Sequence, residues 1–256
     1  MAVELYNRDG HVCLAFYDLV DEAKDHAVQC NQFLISDHGH GALVDPGGNM
    51  TYNSLLMAMQ KYFPSKELNY ILASHPDPDI IASVNKWFVA SSCKVMISAL
   101  WTRFVPHFTT GRDVTGRIEG IPDAGMDISL GQCRIKAIPA HFMHAEGNFQ
   151  FYDPVSKILF SGDLGVSLVD HARAADPVAD FDAHIPLMEG FHRRYIVSNK
   201  VLRFWAHMVR QLDIEMIVPQ HGQRFVGKPM VKRFIDWVEQ LPCGVDLMTQ
   251  DNYRIP

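Results

Sequence analysis

Three short apolar stretches of this chain each run straight into a residue type that binds metal ions. LNYILA leads into Ser74-His75-Pro76-Asp77-Pro78-Asp79, KILFS into Gly162-Asp163, and MIV into Pro219-Gln220-His221-Gly222. Apolar runs of this length, bounded by Gly and Pro, read as buried strands. Neighbouring strands end side by side, so ligands at their ends converge on one edge of a sheet, where the scaffold is rigid and the following loops can vary. That pattern constrains the chain to an α/β or sandwich architecture with a site at one sheet edge.

The first segment is the most restrictive, because His75, Asp77 and Asp79 alternate with two prolines. Proline fixes its own φ and pushes the preceding residue toward extended geometry. Alternate residues on an extended path point the same way. Two readings fit: a ligand cassette, or a solvated turn whose aspartates cap the next helix, with Asp79 as N-cap. His144, Asp163 and His221 add weight only jointly, since a lone histidine is more often packed or exposed than a ligand. Two further strand-end positions and a histidine in the His141–Asn148 loop are together far less expected by chance.

The remaining pattern supplies the layers. Strands are expected at His11–Tyr17, Asn31–Ser36, Gly41–Val44, Lys94–Ile97, Asp127–Ile138 and Phe149–Tyr152. Asp45-Pro46-Gly47-Gly48 is a strong turn. Helices are expected at Tyr52–Tyr62, Ile80–Val89, Asn199–Leu212 and Val231–Gln240 from apolar residues at helical spacing. Residues 98–120 read as irregular and aromatic, and 164–195 as a long connection with a helical part. With 256 residues, 48% of them hydrophobic, the chain fits one large domain able to bury its core unaided. A net charge of −6 offers no general attraction for nucleic acid or an anionic membrane. The five scattered cysteines (Cys13, Cys30, Cys93, Cys133 and Cys243) form no CxxC pair and read as reduced thiols of a cytoplasmic protein. Glu4, Arg8 and Asp9 near the start argue against a signal peptide, and no apolar run approaches a membrane span.

With these residues in place, the chain resembles the metallo-β-lactamase superfamily over roughly residues 25–240, with SHPDPD in place of its HxHxDH motif. Within that superfamily it is most similar to the diiron domain of flavodiiron proteins and to stand-alone oxygen-binding diiron proteins. His75, Asp77, Asp79, His144, Asp163 and His221 fall in order on the ligand positions. The resemblance implies a single-domain αββα sandwich over residues 1–256. It also implies two iron ions, one held by His75, Asp77 and His144, the other by Asp79 and His221, with Asp163 bridging. His141 is the alternative to His144 or a supporting residue, and His26 a hydrogen-bonding support. Asp77 stands where zinc hydrolases place histidine, and Ile80 where they place a ligand to the second ion. Both departures favour iron, with manganese or zinc as alternatives.

The implied function is binding of O2 or NO by a sensor or carrier, working with a chemoreceptor or other signalling protein and expected as a homodimer. An O2/NO reductase fed by a separate flavoprotein is the alternative, since no flavin phosphate loop is visible. A metal-dependent hydrolase is the third reading, and Asp77 and Ile80 count against it.

Overall fold

A computed structural model describes residues 2–20, 28–110 and 113–256. The first sheet joins β1 (Ala2–Arg8), β2 (His11–Phe16), β3 (Gln32–Asp37), β4 (His40–Val44), β5 (Leu68–Leu72), β6 (Lys94–Ser98) and β7 (Ile118–Ile121) in that order. It is antiparallel from β1 to β4 and parallel from β4 to β7. The second sheet contains β8 (Met126–Leu130), β9 (Cys133–Pro139), β10 (Phe149–Asp153), β11 (Ile158–Phe160), β12 (Met216–Val218) and β13 (Phe225–Val226). Only β11 and β12 run parallel in it.

Both faces of both sheets are covered. In β2, Cys13 and Ala15 face the second sheet, where they join Phe33, Phe149, Phe151 and Phe160, while Leu14 and Phe16 face the outer helices. On that outer side lie α1 (Tyr52–Met59), α2 (Pro78–Ile81) and α3 (Val84–Ala90), packed through Leu55, Met59, Ile80 and Trp87. The second sheet carries α4 (Phe181–Tyr195), α5 (Asn199–Val209) and α6 (Lys228–Gln240), packed through Met188, Trp205 and Phe234. Strands covered on both faces read as continuous apolar runs rather than strict alternation, which is why they stand out in the sequence. The result is the four-layer αββα sandwich that the resemblance implies. Among the described residues, no helix is long and apolar enough to cross a membrane, and the five cysteines are buried and free.

Several boundaries differ from expectation. The single strand expected over Asp127–Ile138 is a hairpin, because Gly131 adopts φ +56° and turns the chain between β8 and β9. The helix expected over Ile80–Val89 is two pieces separated at Ala82 and Ser83, where the Ser83 hydroxyl donates to the Gly47 carbonyl at 2.6 Å. The connection over 164–195 ends in the 15-residue α4, whose N-terminus is capped by the Asp180 carboxylate. Pro186 and Gly190 inside that helix conceal it in the sequence. Edge strands β1 and β7 and the short β13 are too polar or too brief to stand out.

At the far end of the sandwich from the three ligand-bearing strand ends, one side chain ties the sheets together. His11 Nδ1 donates to Asp37 Oδ1 at 2.9 Å and His11 Nε2 donates to Asp153 Oδ2 at 2.7 Å, all three residues being buried. Burial opposes charge on the ring, but the bonds to Asp153 and the neighbouring thiols outweigh it and raise the His11 pKa far above its usual range. The ring is therefore an imidazolium between carboxylates from opposite sheets. A group with a raised folded-state pKa contributes its stability below the unfolded value of about 6.5 and loses it only as pH rises through the folded value. His11→Ala removes the cation shared by two buried carboxylates, and urea denaturation at neutral pH is expected to show a loss of about 3–5 kcal/mol. A loss below about 1 kcal/mol would mean that the clasp carries little of the stability.

Candidate metal centre

The six strand-end and loop residues meet at the edge where β5, β11 and β12 finish. Beyond β5, the Ser74 amide donates to Asp45 Oδ1 at 2.8 Å, which fixes the backbone leading into His75. Asp77 then takes the N-cap position of α2 with φ −64° and ψ 151°, and Pro78 opens the helix. The Asp77 carboxylate makes no capping bond. Its Oδ2 instead faces His144 Nε2 at 2.8 Å and His75 Nε2 at 3.6 Å. A capping aspartate would bond first-turn amides, so this orientation separates the two readings of the segment and removes Asp79 as N-cap. Asp79 sits within the first turn, with Oδ2 3.3 Å from His221 Nε2.

Asp163 follows β11 through Gly162, which adopts φ +55° and passes so close to Ser74 that an added Cβ would lie 3.2 Å from that side chain. The Asp163 carboxylate faces both imidazole groups: Oδ2 is 3.7 Å from His144 Nε2, and Oδ1 is 3.8 Å from His221 Nε2. Oδ1 is buried and has no hydrogen-bond partner. After β12, Gly222 at φ +80° lies against Ser167, where a Cβ would come within 2.1 Å of the hydroxyl, and this turn sets His221 in place.

His144 arrives on a strained loop. Its φ is +100° and that of Phe142 is +64°, a region that bulky residues rarely adopt. The loop is tied by the Asn148 side-chain amide donating to the Met143 carbonyl at 2.8 Å, and by the Phe142 amide donating to the Ala145 carbonyl at 2.9 Å. The reversal turns the His144 ring inward, over Phe191 and Tyr195 of α4 at 5.8 and 5.5 Å. It leaves His141 turned away. The His141 Nε2–H donates to the Asp123 carbonyl at 2.8 Å, and the ring packs edge-on against Phe149. The expectation that His141 replaces His144 or supports the ligands is therefore corrected.

His26 lies outside the described residues. The supports that the structure does show came from elsewhere. His221 Nδ1–H donates to the Gln29 carbonyl at 2.7 Å. His75 Nδ1–H donates to Ser74 Oγ at 2.9 Å, and that hydroxyl donates to Asp45 Oδ2 at 2.9 Å. Such bonds fix the proton on Nδ1 and leave Nε2 available to an ion. Asp45, expected only as the start of a turn, is fully buried, and burial pushes its carboxyl up to about 6. No sequence signal pointed to Gln29, whose contribution is a backbone carbonyl.

The electrostatics show what the cluster lacks. Burial alone would lower His75, but the Asp77 bond and the Asp163 and Asp45 charges raise it to about 9. His221 is likewise raised, by Asp79 and Asp163 against burial. Asp77 is held well below its usual range by His144 and His75. Asp79 is lowered as well, burial being outweighed by His221. The carboxylates thus favour the protonated forms of His75 and His221. Donor atoms held about 2.1 Å from one ion stand about 3 Å apart, and the facing donors here span 2.8–3.8 Å. Oxygen and imidazole donors without thiolate suit iron or manganese. The residues fit a pair of ions.

Fold and site together define a metallo-β-lactamase-like sandwich with a candidate dinuclear centre. The chain belongs to the family described as ODP family beta lactamase, which matches residues 28–222. It is similar to chemotaxis sensor ODP, solved as a peroxy diiron species, with 38% identity, 98% of this chain and 99% of that chain covered, and a TM-score of 0.86. It shares its fold with the rubredoxin oxygen:oxidoreductase of the anaerobe Desulfovibrio gigas at 15% identity and a TM-score of 0.78, over 93% of this chain and 61% of that one. An uncharacterized protein of Methanocaldococcus jannaschii is 24% identical over 216 residues, 81% of this chain and 52% of that protein. The chain therefore spans about half the length of that curated relative.

Metal must displace the proton that the neighbouring carboxylates favour on His75. With His75 at about 9 in the metal-free protein, affinity is expected to rise between pH 6 and 9, by roughly tenfold per unit for each proton displaced. Competition titration of Fe(II) under nitrogen checks this, and a flat profile would contradict it.

Proposed function

We propose that this chain is a cytoplasmic oxygen-binding diiron protein, a sensor or carrier that reports O2 or NO to a chemoreceptor or another signalling protein. His75, Asp77 and His144 hold one iron, Asp79 and His221 hold the other, and Asp163 bridges them. The observation that carries this reading is Asp163: a buried carboxylate whose two oxygens face two separate imidazole groups, one oxygen having no hydrogen-bond partner. A buried charged oxygen without a partner is costly unless a cation completes it. The similarity to chemotaxis sensor ODP across nearly the whole chain supports iron over manganese or zinc, and a sensor over a hydrolase.

When bound, a ferrous pair supplies electrons and open coordination positions for a diatomic gas. The chain supplies the setting. Above the cluster lies a cleft of about 630 Å³ walled by Val20, Met50, Ala82, Phe191 and Tyr195. Phe191 and Tyr195 stack on each other with centroids 4.5 Å apart and cover one face of His144. Apart from Asn49, Thr51 and the candidate ligands the lining is mostly apolar, and such a cleft admits a small apolar gas such as O2 or NO.

Elemental analysis followed by an anaerobic-to-air optical spectrum tests the reading. An iron pair with a lasting visible band in air is expected. A fleeting band with steady O2 consumption would point to a reductase, and a zinc pair with ester turnover would refute both. Asp163→Ala is expected to lose most of the iron, because one carboxylate serves both ions. Full iron occupancy in that variant would overturn the bridging role.

A further inference from the structure

The loop that brings His144 to the cluster also forms the wall of an apolar groove facing outward. Residues 139–143 and α5 enclose about 440 Å³, with Phe142, Met143, Val201, Phe204 and Trp205 among the lining side chains. Phe142 is 48% exposed and Phe204 65% exposed, a large apolar surface to leave in water. Phe204 lies on the outer side of α5, opposite the buried Leu202, Trp205 and Val209. The surroundings are positively charged. Lys200 and Arg203 flank Phe204 on α5, and Arg194 lines an adjoining hollow that shares Phe142 and also holds Arg193 and the single carboxylate Glu146. None of these three cations has a carboxylate partner among the described residues, whereas neighbouring Arg193 pairs with Glu189 at 3.0 Å. In a chain of net charge −6, an apolar groove with Lys200 on its wall, over the Phe204 ring at 5.9 Å, and with Arg203 and Arg194 beside it is complementary to an apolar segment flanked by carboxylates.

We propose that this groove is the signal output surface, taking an acidic amphipathic helix from a separate signalling protein, and that its occupancy is coupled to the metal centre through the 140–145 loop. The coupling half of this inference rests on the sensor reading above. Phe142 in the groove and His144 at the cluster are two residues apart on one strained turn, both at positive φ. The Phe142 carbonyl accepts from the Val197 amide at 3.2 Å, and Val197 stands between α4, which packs on His144, and α5, which forms the groove. A change in how the ions hold His144 therefore reaches the groove through a turn with little slack. Coupling requires that the occupant bind the two states with different affinity.

The test uses the full-length, iron-loaded protein and two labelled synthetic helices about four turns long. Both carry the same Leu/Phe stripe, one with Glu and the other with Lys on its polar face. The Glu helix is expected to bind at least about tenfold more tightly. Lys200→Glu with Arg203→Glu is expected to reverse that preference, and Phe204→Ser to abolish binding with iron content unchanged. Affinity for the Glu helix is expected to differ by at least about fivefold between the anaerobic ferrous protein and the air-exposed protein. Equal binding of both helices would overturn the proposal. So would capture by phosphatidylserine vesicles in preference to either helix, or a dimer that Phe204→Ser dissociates, since a lipid surface or a second copy would then be the occupant. An intact optical response to air with no change in helix affinity would overturn the coupling alone. An absent optical response in the helix-free protein would overturn the sensor reading instead.

Discussion

Asp77, Asp79 and Asp163 crowd around the same few imidazoles at a half-buried sheet edge, and that arrangement is unstable unless positive charge lies among them. Repulsion between carboxylates grows as water is excluded, and each would otherwise take up a proton or turn outward. Much of the surrounding fold keeps them from turning away. Two prolines stiffen His75–Asp79, and α2 starts at Pro78 so that Asp79 emerges beside His221. The glycine turns at 162 and 222 hold Asp163 and His221 at the ends of adjacent parallel strands. The Ser74–Asp45 pair anchors His75 from behind. Rigidity on this scale is what a metal site needs, because ligands that can relax away hold no ion.

The far end of the sandwich shows the same residue types resolved differently. His11 joins two triads there, one with Cys13 and Asp153 and one with Asp37 and Cys133, and each brings ligand-type atoms within 4.8 Å of one another, as His75, His144 and Asp163 do. Proximity alone does not separate the two clusters; hydrogen-bond satisfaction does. Around His11 every carboxylate is supplied. Asp153 accepts from His11, from the Val155 amide and from Ser156, and Asp37 accepts from His11 and the Gln132 amide. The cation there is internal, the imidazolium itself. Around Asp163 the donors run out, and Asp163 Oδ1 and His144 Nδ1 are left buried without partners. One cluster is a finished clasp between sheets, and the other keeps a buried carboxylate oxygen that a metal ion would satisfy.

This difference also marks the limit of what the sequence could tell. The strand-end pattern was legible because strands covered on both faces produce unbroken apolar runs, so a polar residue at the end of one is conspicuous. That placed His75, Asp77, Asp79, Asp163 and His221 without any fold information. The choice between His141 and His144 was not legible, because it depends on the positive φ at Phe142 and His144, and neither residue type announces that conformation. His11 and Asp153 are 142 residues apart in sequence and meet only once the sheets stack. The Gln29 carbonyl and the Asp45 relay were invisible for a related reason, since a backbone oxygen has no signature and an aspartate before Pro-Gly-Gly looks like any turn. Helix α4 was half concealed by Pro186 and Gly190, although its aromatic residues Phe191 and Tyr195 cover His144.

Ile80 shows how far the departure from the hydrolase pattern reaches. In the sequence it is a histidine position filled by an apolar residue. In the fold, Ile80 is fully buried among Leu55, Ile81, Val84 and Trp87 in the layer between the first sheet and its helices. Its backbone is held at both ends: the amide donates to the Asp77 carbonyl at 3.0 Å, and its carbonyl accepts from the Gly47 amide at 3.1 Å. The side chain therefore belongs to the core and not to the cleft. Because α2 begins at Pro78, residue 79 faces the ligands and residue 80 turns away from them. The thinner ligand set proposed for the second ion is thus a property of the backbone path as well as of one side chain. An imidazole at position 80 would enter an apolar core unless α2 also rotated, and burying a polar ring there without a partner carries its own cost.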